Sequence, residues 1–308
     1  MGRYAARRGL QFVPVFFGTT FLVYFLMFAL PGDPLANLSV GKQANPAYLA
    51  YLQEQFNLDD PFFVQYLKYL GGIFTGDLGQ TFRGQSVAEI FVERFPVTLK
   101  LALTAFVFEA LLGVGIGVWA ALRKGRFIDN LSLAGSLILI SIPVFVLGYV
   151  AQWLFGVKLG WFPVAGISAG WPMAYILPAI VLAALSLAYV LRLTRQSLLE
   201  TLNSDFIRTA RAKGLPPWTI LRKYGLRNSL IPVVTFLGAD LAALMGGAVV
   251  IEGIFNVPGI GQQLYSSIRL GEAVVVVGLV TALVIIYLLV NLLVDLLYGV
   301  LDPRIRYE

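Results

Sequence analysis

The sequence predicts an all-α integral membrane protein with six transmembrane helices and a small extracytoplasmic excursion between the first two. Three observations carry this. Of 308 residues, 58% are apolar and the mean hydropathy is +0.79, well above the usage of a soluble globular domain. Six stretches of about 20 residues or more are nearly free of charge, each long enough to cross a ~30 Å hydrocarbon core. The cations then alternate across those stretches: segments 1–9, 123–130, 192–229 and 302–308 hold three, three, eight and two Lys/Arg, or 16 of 23. Cations collect on the cytoplasmic side, so both termini are expected there.

The first element follows three arginines. Its apolar run from Leu10 to Leu30 is 21 residues, longer than the 7–15 residues of a signal-peptide core, and reads as a retained span within residues 1–30. Residues 31–95 form the excursion. Asn45-Pro46 offers an N-cap and first-turn proline before AYLAYLQEQF, and Asp60-Pro61 repeats the signal before FFVQYLKYLGGIF. GDLGQTFRGQSV is a Gly-rich turn region. Residues 96–301 form the membrane core, with spans at Thr98–Leu122, Leu131–Val157, Pro172–Leu191, Leu230–Ile254 and Ala273–Leu301, and 302–308 form a cytoplasmic tail. Pro143 is expected to kink the third span, with Ser141 bonding a freed carbonyl. In GVGIGV (113–118), the Gly113-x-x-x-Gly117 spacing reads as close helix packing; a G-x-G inside a span, with no preceding strand, is a poor nucleotide motif.

The net charge of +6 reports topology, so the expected surroundings are membrane lipid and not nucleic acid. The chain has no cysteine and no histidine, which excludes disulfides, thiol chemistry, thiolate zinc sites and His-based acid–base chemistry. A Walker A motif is absent: Gly41-Lys42 is followed by Gln43, and position 36 is Ala. No catalytic constellation, metal site or bound cofactor is expected.

The polar loop at about 200–229 stands out. DFIRTARAKGLPPWTILRKYGLRNSLIP (205–232) gathers six Lys/Arg against one acid. Asn203 or Ser204 can cap a short helix starting at Asp205, Gly214 sits where a C′ glycine belongs, and Pro216-Pro217 forbid continuation. A second short helix can run from Pro217 towards Arg227. In the first, Phe206, Thr209, Ala210 and Lys213 share one face and Arg208 and Arg211 another. The small residues at 209, 210 and 212 would let another surface approach. A solvated basic loop explains the charge; it does not explain cap, stop glycine and small-residue face together.

RTARAKGL followed by RNSLIP resembles the coupling loop of ABC importer permeases, in particular the dipeptide/oligopeptide branch. Arg208 and Thr209 stand where the general pattern has Glu and Ala, while Ala210 and Gly214 match it and Ile231-Pro232 lies further downstream. GDLGQTF, RFPVTLKLAL, SIPVFVLG, LGWFPVAG, LPAIVLAALSLAYVLRLTRQSLLE, GGAVVIEGIFNVPGIG and NLLVDLLYGVLDPRIRY are also similar to family segments, in family order. The long excursion and the DPRIRY ending resemble the first, B-type permease subunit.

The resemblance implies the type I ABC importer permease fold and import by alternating access. It implies a homologous second permease, two ATPase subunits or one fused ATPase, and an extracytoplasmic solute-binding protein, with ATP and Mg held by the ATPases. Asp205, Arg208, Thr209, Ala210, Arg211, Gly214 and Leu215 would form the coupling surface and its hinge. Di- or oligopeptides are the implied cargo; chelated nickel, haem, glutathione and sugar are alternatives within the same machine. An ion-coupled secondary transporter is the competitor from another class, and it would show inverted repeats around midplane ion ligands.

Intramembrane carboxylates are expensive and mark candidate sites. Glu109 and Asp240 are candidates for the translocation pathway, against the alternative of helix–helix hydrogen bonding, which suits Asp295. Glu252, with Pro258 and Gly259, precedes an expected short outer helix and could form an outer gate or a binding-protein contact.

Overall fold

The computed structural model of the chain describes residues 2–28, 53–54 and 57–301. The expected helix entrance at Asn45-Pro46 and the tail 302–308 lie outside the described residues. Among those described there is no strand, only an isolated Gln80–Ser86 bridge. Ten helices follow in order: α1 Gly2–Phe28, α2 Phe62–Thr75, α3 Val87–Leu122, α4 Phe127–Ser141, α5 Val144–Lys158, α6 Met173–Leu202, α7 Asp205–Ala212, α8 over 217–255, α9 Ile260–Leu270 and α10 Ala273–Leu301. Five of them (α1, α3, α6, α8 and α10) contain stretches long and apolar enough to cross a membrane, and α4 with α5 makes a sixth crossing if the bent pair is one span.

The expected spans need three corrections. Pro143 does not kink a continuous helix: α4 and α5 meet at 105°. Ile142 and Pro143 are both extended there (ψ 124° and 136°), and the Ser141 hydroxyl donates within its own helix, to the Leu137 carbonyl at 2.8 Å. The fourth span does not stop at Leu191 but runs to Leu202, because its polar last turns continue to pack: Thr194 and Leu198 are fully buried. The expected short helix from Pro217 is no separate element. It passes through a π-helical stretch, Ile220–Leu226, directly into the fifth span.

The helices fall into two compact units. One comprises residues 1–98 and 258–308. Here α1 packs against α10, and α2 lays Tyr66 and Leu70 against α1. Tyr24, Phe21, Phe62, Tyr66 and Tyr69 form an aromatic cluster with ring centroids 5.2–5.9 Å apart, the offset and edge-on spacing such rings favour. Polar tips are satisfied at its edge: Tyr66 Oη and Thr20 Oγ1 lie 3.0 Å apart, and Tyr69 donates to Thr281 Oγ1 at 2.7 Å. The Gly-rich turn after α2 presses on α10 so closely that a Cβ on Gly79 (φ +94°) would lie 2.4 Å from Val274, and one on Gly278 would lie 2.4 Å from the Leu78 carbonyl. The expected outer helix exists as α9. Its first turn receives a side-chain cap from Thr98, whose hydroxyl accepts the Ile260 N–H at 2.9 Å.

The second unit, residues 99–257, is built on α6, whose apolar window is two-thirds buried. Gly113 and Gly117 of α3 lie against it: an added Cβ would stand 2.8 Å from Val190 Cγ1 and 2.7 Å from the Leu191 carbonyl respectively. The glycine spacing is therefore a packing device. Gly115, between them, has nothing within 4 Å. The carbonyl of Phe255, at the end of α8, accepts the Gly166 N–H at 2.8 Å, and Gln152 of α5 donates to Val164 O at 2.7 Å.

Candidate functional site

Helix α7 is short enough that its ends decide whether it exists. Ser204 holds the N-cap position in extended geometry (φ −73°, ψ 158°), and its carbonyl accepts the Arg208 N–H at 3.2 Å. The expected side-chain cap from Ser204 or Asn203 is not made. The Ser204 hydroxyl turns back and donates to Thr201 O in the last turn of α6, trading a cap for a tie between the two helices. Asp205 places its negative charge in the first turn, where the helix dipole favours it, and pairs with Arg208 at 3.2 Å. Both side chains are over three-quarters exposed, so the pair contributes roughly 0.5 kcal/mol or less.

The C-terminal stop is as the sequence predicts. Gly214 has φ +73°, the left-handed conformation that favours glycine. Its N–H bonds Arg211 O at 2.9 Å and the Leu215 N–H reaches Ala210 O at 3.4 Å. These are the paired bonds of a Schellman stop.

One face of α7 is already occupied. Ile207 and Ala210 are buried with Ile220 of α8, and Leu215 and Tyr224 pack against them. Ala210 therefore does not belong to a surface open to a partner, as its small size suggested; its methyl lets the helix seat on the chain's own α8. The open face carries Phe206, Arg208, Thr209, Arg211, Ala212 and Lys213, with Thr209 Oγ1 donating to Asp205 O at 3.0 Å. The result is a basic helix, stopped at its C-terminus by Gly214, that buries one edge in its own protein and presents the rest.

Glu109 and Asp240, 131 positions apart, come together in the second unit. Glu109 opens the π-helical turn Glu109–Gly113 and is fully buried. Neither of its oxygens, nor Asp240 Oδ2, meets a hydrogen-bond donor among the described residues, and the two carboxyl groups lie within electrostatic reach of each other. π-Helical turns of this kind concentrate at functional positions. Glu252 does not stand at an exposed mouth: it lies in α8, fully buried, within electrostatic reach of Tyr175. Pro258 is half-buried and Gly259, the N-cap of α9, is buried. Asp295 lies in α10 in a half-buried position.

The sequence reading missed an ion pair. Asp129, in the first turn of α4, receives Arg195 of α6 through two bonds, Nε to Oδ1 at 2.5 Å and Nη2 to Oδ2 at 2.8 Å, and the Gly125 N–H at 2.8 Å. The Asp129 side chain is 2% exposed and that of Arg195 20%. A lone acid in the basic segment 123–130 was the available signal.

Comparison with known proteins agrees with this architecture. The family described as binding-protein-dependent transport system inner membrane component matches residues 113–307, and its N-terminal companion matches residues 1–102. The dipeptide transport system permease protein DppB of Alkalihalophilus pseudofirmus is 35% identical over 331 residues, covering 99% of each chain. The glutathione transport system permease protein GsiC of Salmonella paratyphi A is 37% identical over 309 residues, covering 100% of each. Among solved structures, an inward-facing form of the MetNI methionine ABC transporter superposes with a TM-score of 0.57 at 24% identity, over 69% of this chain and 96% of that one; this likeness concerns the fold. With the family matched across well over half its length and relatives aligned end to end, the chain belongs to the inner membrane components of binding-protein-dependent transport systems.

Proposed function

We propose that this permease imports di- or oligopeptides, driven by ATP hydrolysis in separate subunits that dock on α7. The cargo reading is supported by full-length relatives whose names specify dipeptide and glutathione transport. The implied assembly adds a second, homologous permease, two ATPase subunits (or one fused) holding ATP and Mg, and an extracytoplasmic solute-binding protein. This chain catalyses no reaction of its own. Both termini and α7 face the cytoplasm, as the placement of the cations favours.

The observation that carries the docking reading is the geometry of α7. A helix of eight residues is too short to persist alone, yet this one is tied to α6 through Ser204, stopped at Gly214 and anchored through Ile207 and Ala210 while its basic face stays open. Closure of an ATPase dimer against that face would be passed as a rigid-body movement through the continuous helix 217–255 into the membrane. Arg208, Thr209 and Arg211 are assigned to contact, and Asp205, Gly214 and Leu215 to holding the helix rigid. Ala210 is reassigned from contact to anchoring. Glu109 and Asp240 would line or brace the translocation pathway, and Glu252, Pro258 and Gly259 would hold the outer gate shut from within.

The test is Gly214→Pro, which cannot adopt φ +73°. In the assembled transporter the variant inserts into the membrane and ATP hydrolysis continues, but uptake of a peptide substrate is lost. Normal uptake by this variant overturns the coupling assignment.

A further inference from the structure

Helix α2 has three sides. Tyr66 and Leu70 are buried with Tyr24 of α1 and Val277 of α10, and Phe62 and Ile73 pack beside them. On one flank Gln65, Lys68 and Gly72 line a cleft of about 140 Å³ that also meets Phe28 and Val274, at the ends of α1 and α10. Lys68 donates there to Asn57 and Asp60, and Gln65 to the Asp60 carbonyl. On the other flank Phe63, Leu67 and Phe74 are 65–75% exposed. At about 100° per residue these three fall within about 40° of one another, an apolar stripe turned away from the polar flank.

The contacts of α2 set its depth. The Tyr66 hydroxyl donates to Phe17 O at 3.2 Å and lies 3.0 Å from Thr20 Oγ1. Thr20 is eight residues before the end of α1 at Phe28, about 12 Å along the helix axis. Tyr69 donates to Thr281 Oγ1 at 2.7 Å, and Thr281 is eight residues after the start of α10 at Ala273, again about 12 Å. Charge says what lies at that depth. The sequence has no charged residue between Glu272 and Asp295, or between Arg8 and Asp33. The first of these runs is about 33 Å of helix, the thickness of a ~30 Å hydrocarbon core. A helix anchored that far inside both spans lies within the membrane's thickness. Its stripe also continues a surface already apolar: Phe63 stacks on Phe21 of α1 at 6.4 Å, next to the exposed Leu22, Phe25 and Leu26.

We propose that α2 lies in one leaflet of the bilayer, with Phe63, Leu67 and Phe74 against lipid acyl chains. Its polar flank points to the membrane surface, where Lys68 keeps its ammonium with Asp60 while its stem crosses apolar ground. This is the arrangement of an interfacial amphipathic helix, and exposed apolar stripes of this kind are otherwise a liability in water. The segment after the first span is then only partly an excursion out of the membrane. The reading is independent of cargo and of docking on α7.

The test uses the assembled transporter in nanodiscs, its other subunits freed of reactive cysteine, with one nitroxide attached at Leu67→Cys or Phe74→Cys. Both side chains are exposed, so neither substitution removes a buried contact. Leu22→Cys on α1 gives the hydrocarbon reference, and Arg83→Cys, exposed in the turn after α2, gives the water reference. Relaxation by oxygen, which concentrates in hydrocarbon, is compared with relaxation by a neutral nickel chelate, which stays in water. We expect oxygen to dominate at positions 67 and 74, as at 22, and nickel to dominate at 83. Nickel dominance at 67 and 74 puts the stripe in water and overturns the proposal. Weak collision with both reagents means that another subunit covers the stripe, and overturns it too.

Discussion

Removing the Asp129 carboxylate should be among the most damaging single changes in this chain. The group is 2% exposed, accepts two bonds from Arg195 and a third from Gly125, and ties the first turn of α4 to α6. Asp129→Ala leaves the Arg195 guanidinium only 20% exposed with its partner gone. Breaking a buried pair from one side costs about 3–5 kcal/mol. The residual exposure of Arg195 argues for the lower end, about 3 kcal/mol. At about 2 °C per kcal/mol for a chain of this size, the apparent Tm of the detergent-solubilised protein falls by about 6 °C. Asp129→Leu combined with Arg195→Met removes both charges together and recovers most of that loss, because a well-packed apolar pair is commonly no worse than a buried ion pair. The assay is thermal denaturation followed by size-exclusion chromatography, on Asp129→Ala and on the double mutant. If Asp129→Ala shifts the apparent Tm by less than about 1 °C, or the double mutant is the worst of the set, the pair does not anchor α4 to α6 and the reasoning fails.

Two further pairs of substitutions probe the packing and the carboxyl groups. Gly117→Val forces a Cβ to within 2.7 Å of the Leu191 carbonyl and should cost about 1–3 kcal/mol, while Gly115→Ala, with nothing within 4 Å, is neutral in the same thermal assay. Glu109→Gln keeps the side chain's size while removing one of the two neighbouring carboxyl groups, and should retain folding and ATP-dependent uptake. Glu109→Ala empties the buried space that the side chain fills and should lower the apparent Tm, and comparing the two by uptake and thermal shift separates the carboxyl group from the side chain's bulk.

Much of this fold is written in local signals. Gly214 and Pro216-Pro217 announce where α7 must stop, and Asp60-Pro61 announces where α2 begins, because these residues restrict the backbone whatever surrounds them. The spans are legible through apolar length. Where the sequence misled, tertiary contacts decided. Nothing local says that Ala210 would face Ile220 rather than a partner, since a small residue suits either surface. The 105° turn at Pro143 looked like a kink because proline alone does not set how far the chain swings. The meeting of Glu109 with Asp240, and of Asp129 with Arg195, joins positions 131 and 66 residues apart, and such pairings are fixed by how α3, α4, α6 and α8 pack and not by spacing along the chain.

The proposed docking of an ATPase on α7 can be tested directly, because the chain has no cysteine. A single Thr209→Cys on the open face of α7, paired with cysteines placed in turn along the ATPase subunit, reports contact by disulfide crosslinking in native membranes. The expected result is a crosslink between Thr209→Cys and the ATPase, with a yield that changes when ATP is bound, and none from Ala210→Cys, whose side chain is buried in the chain's own cluster. Absence of any crosslink from Thr209→Cys, together with undiminished uptake in vesicles stripped of the ATPase, would contradict it.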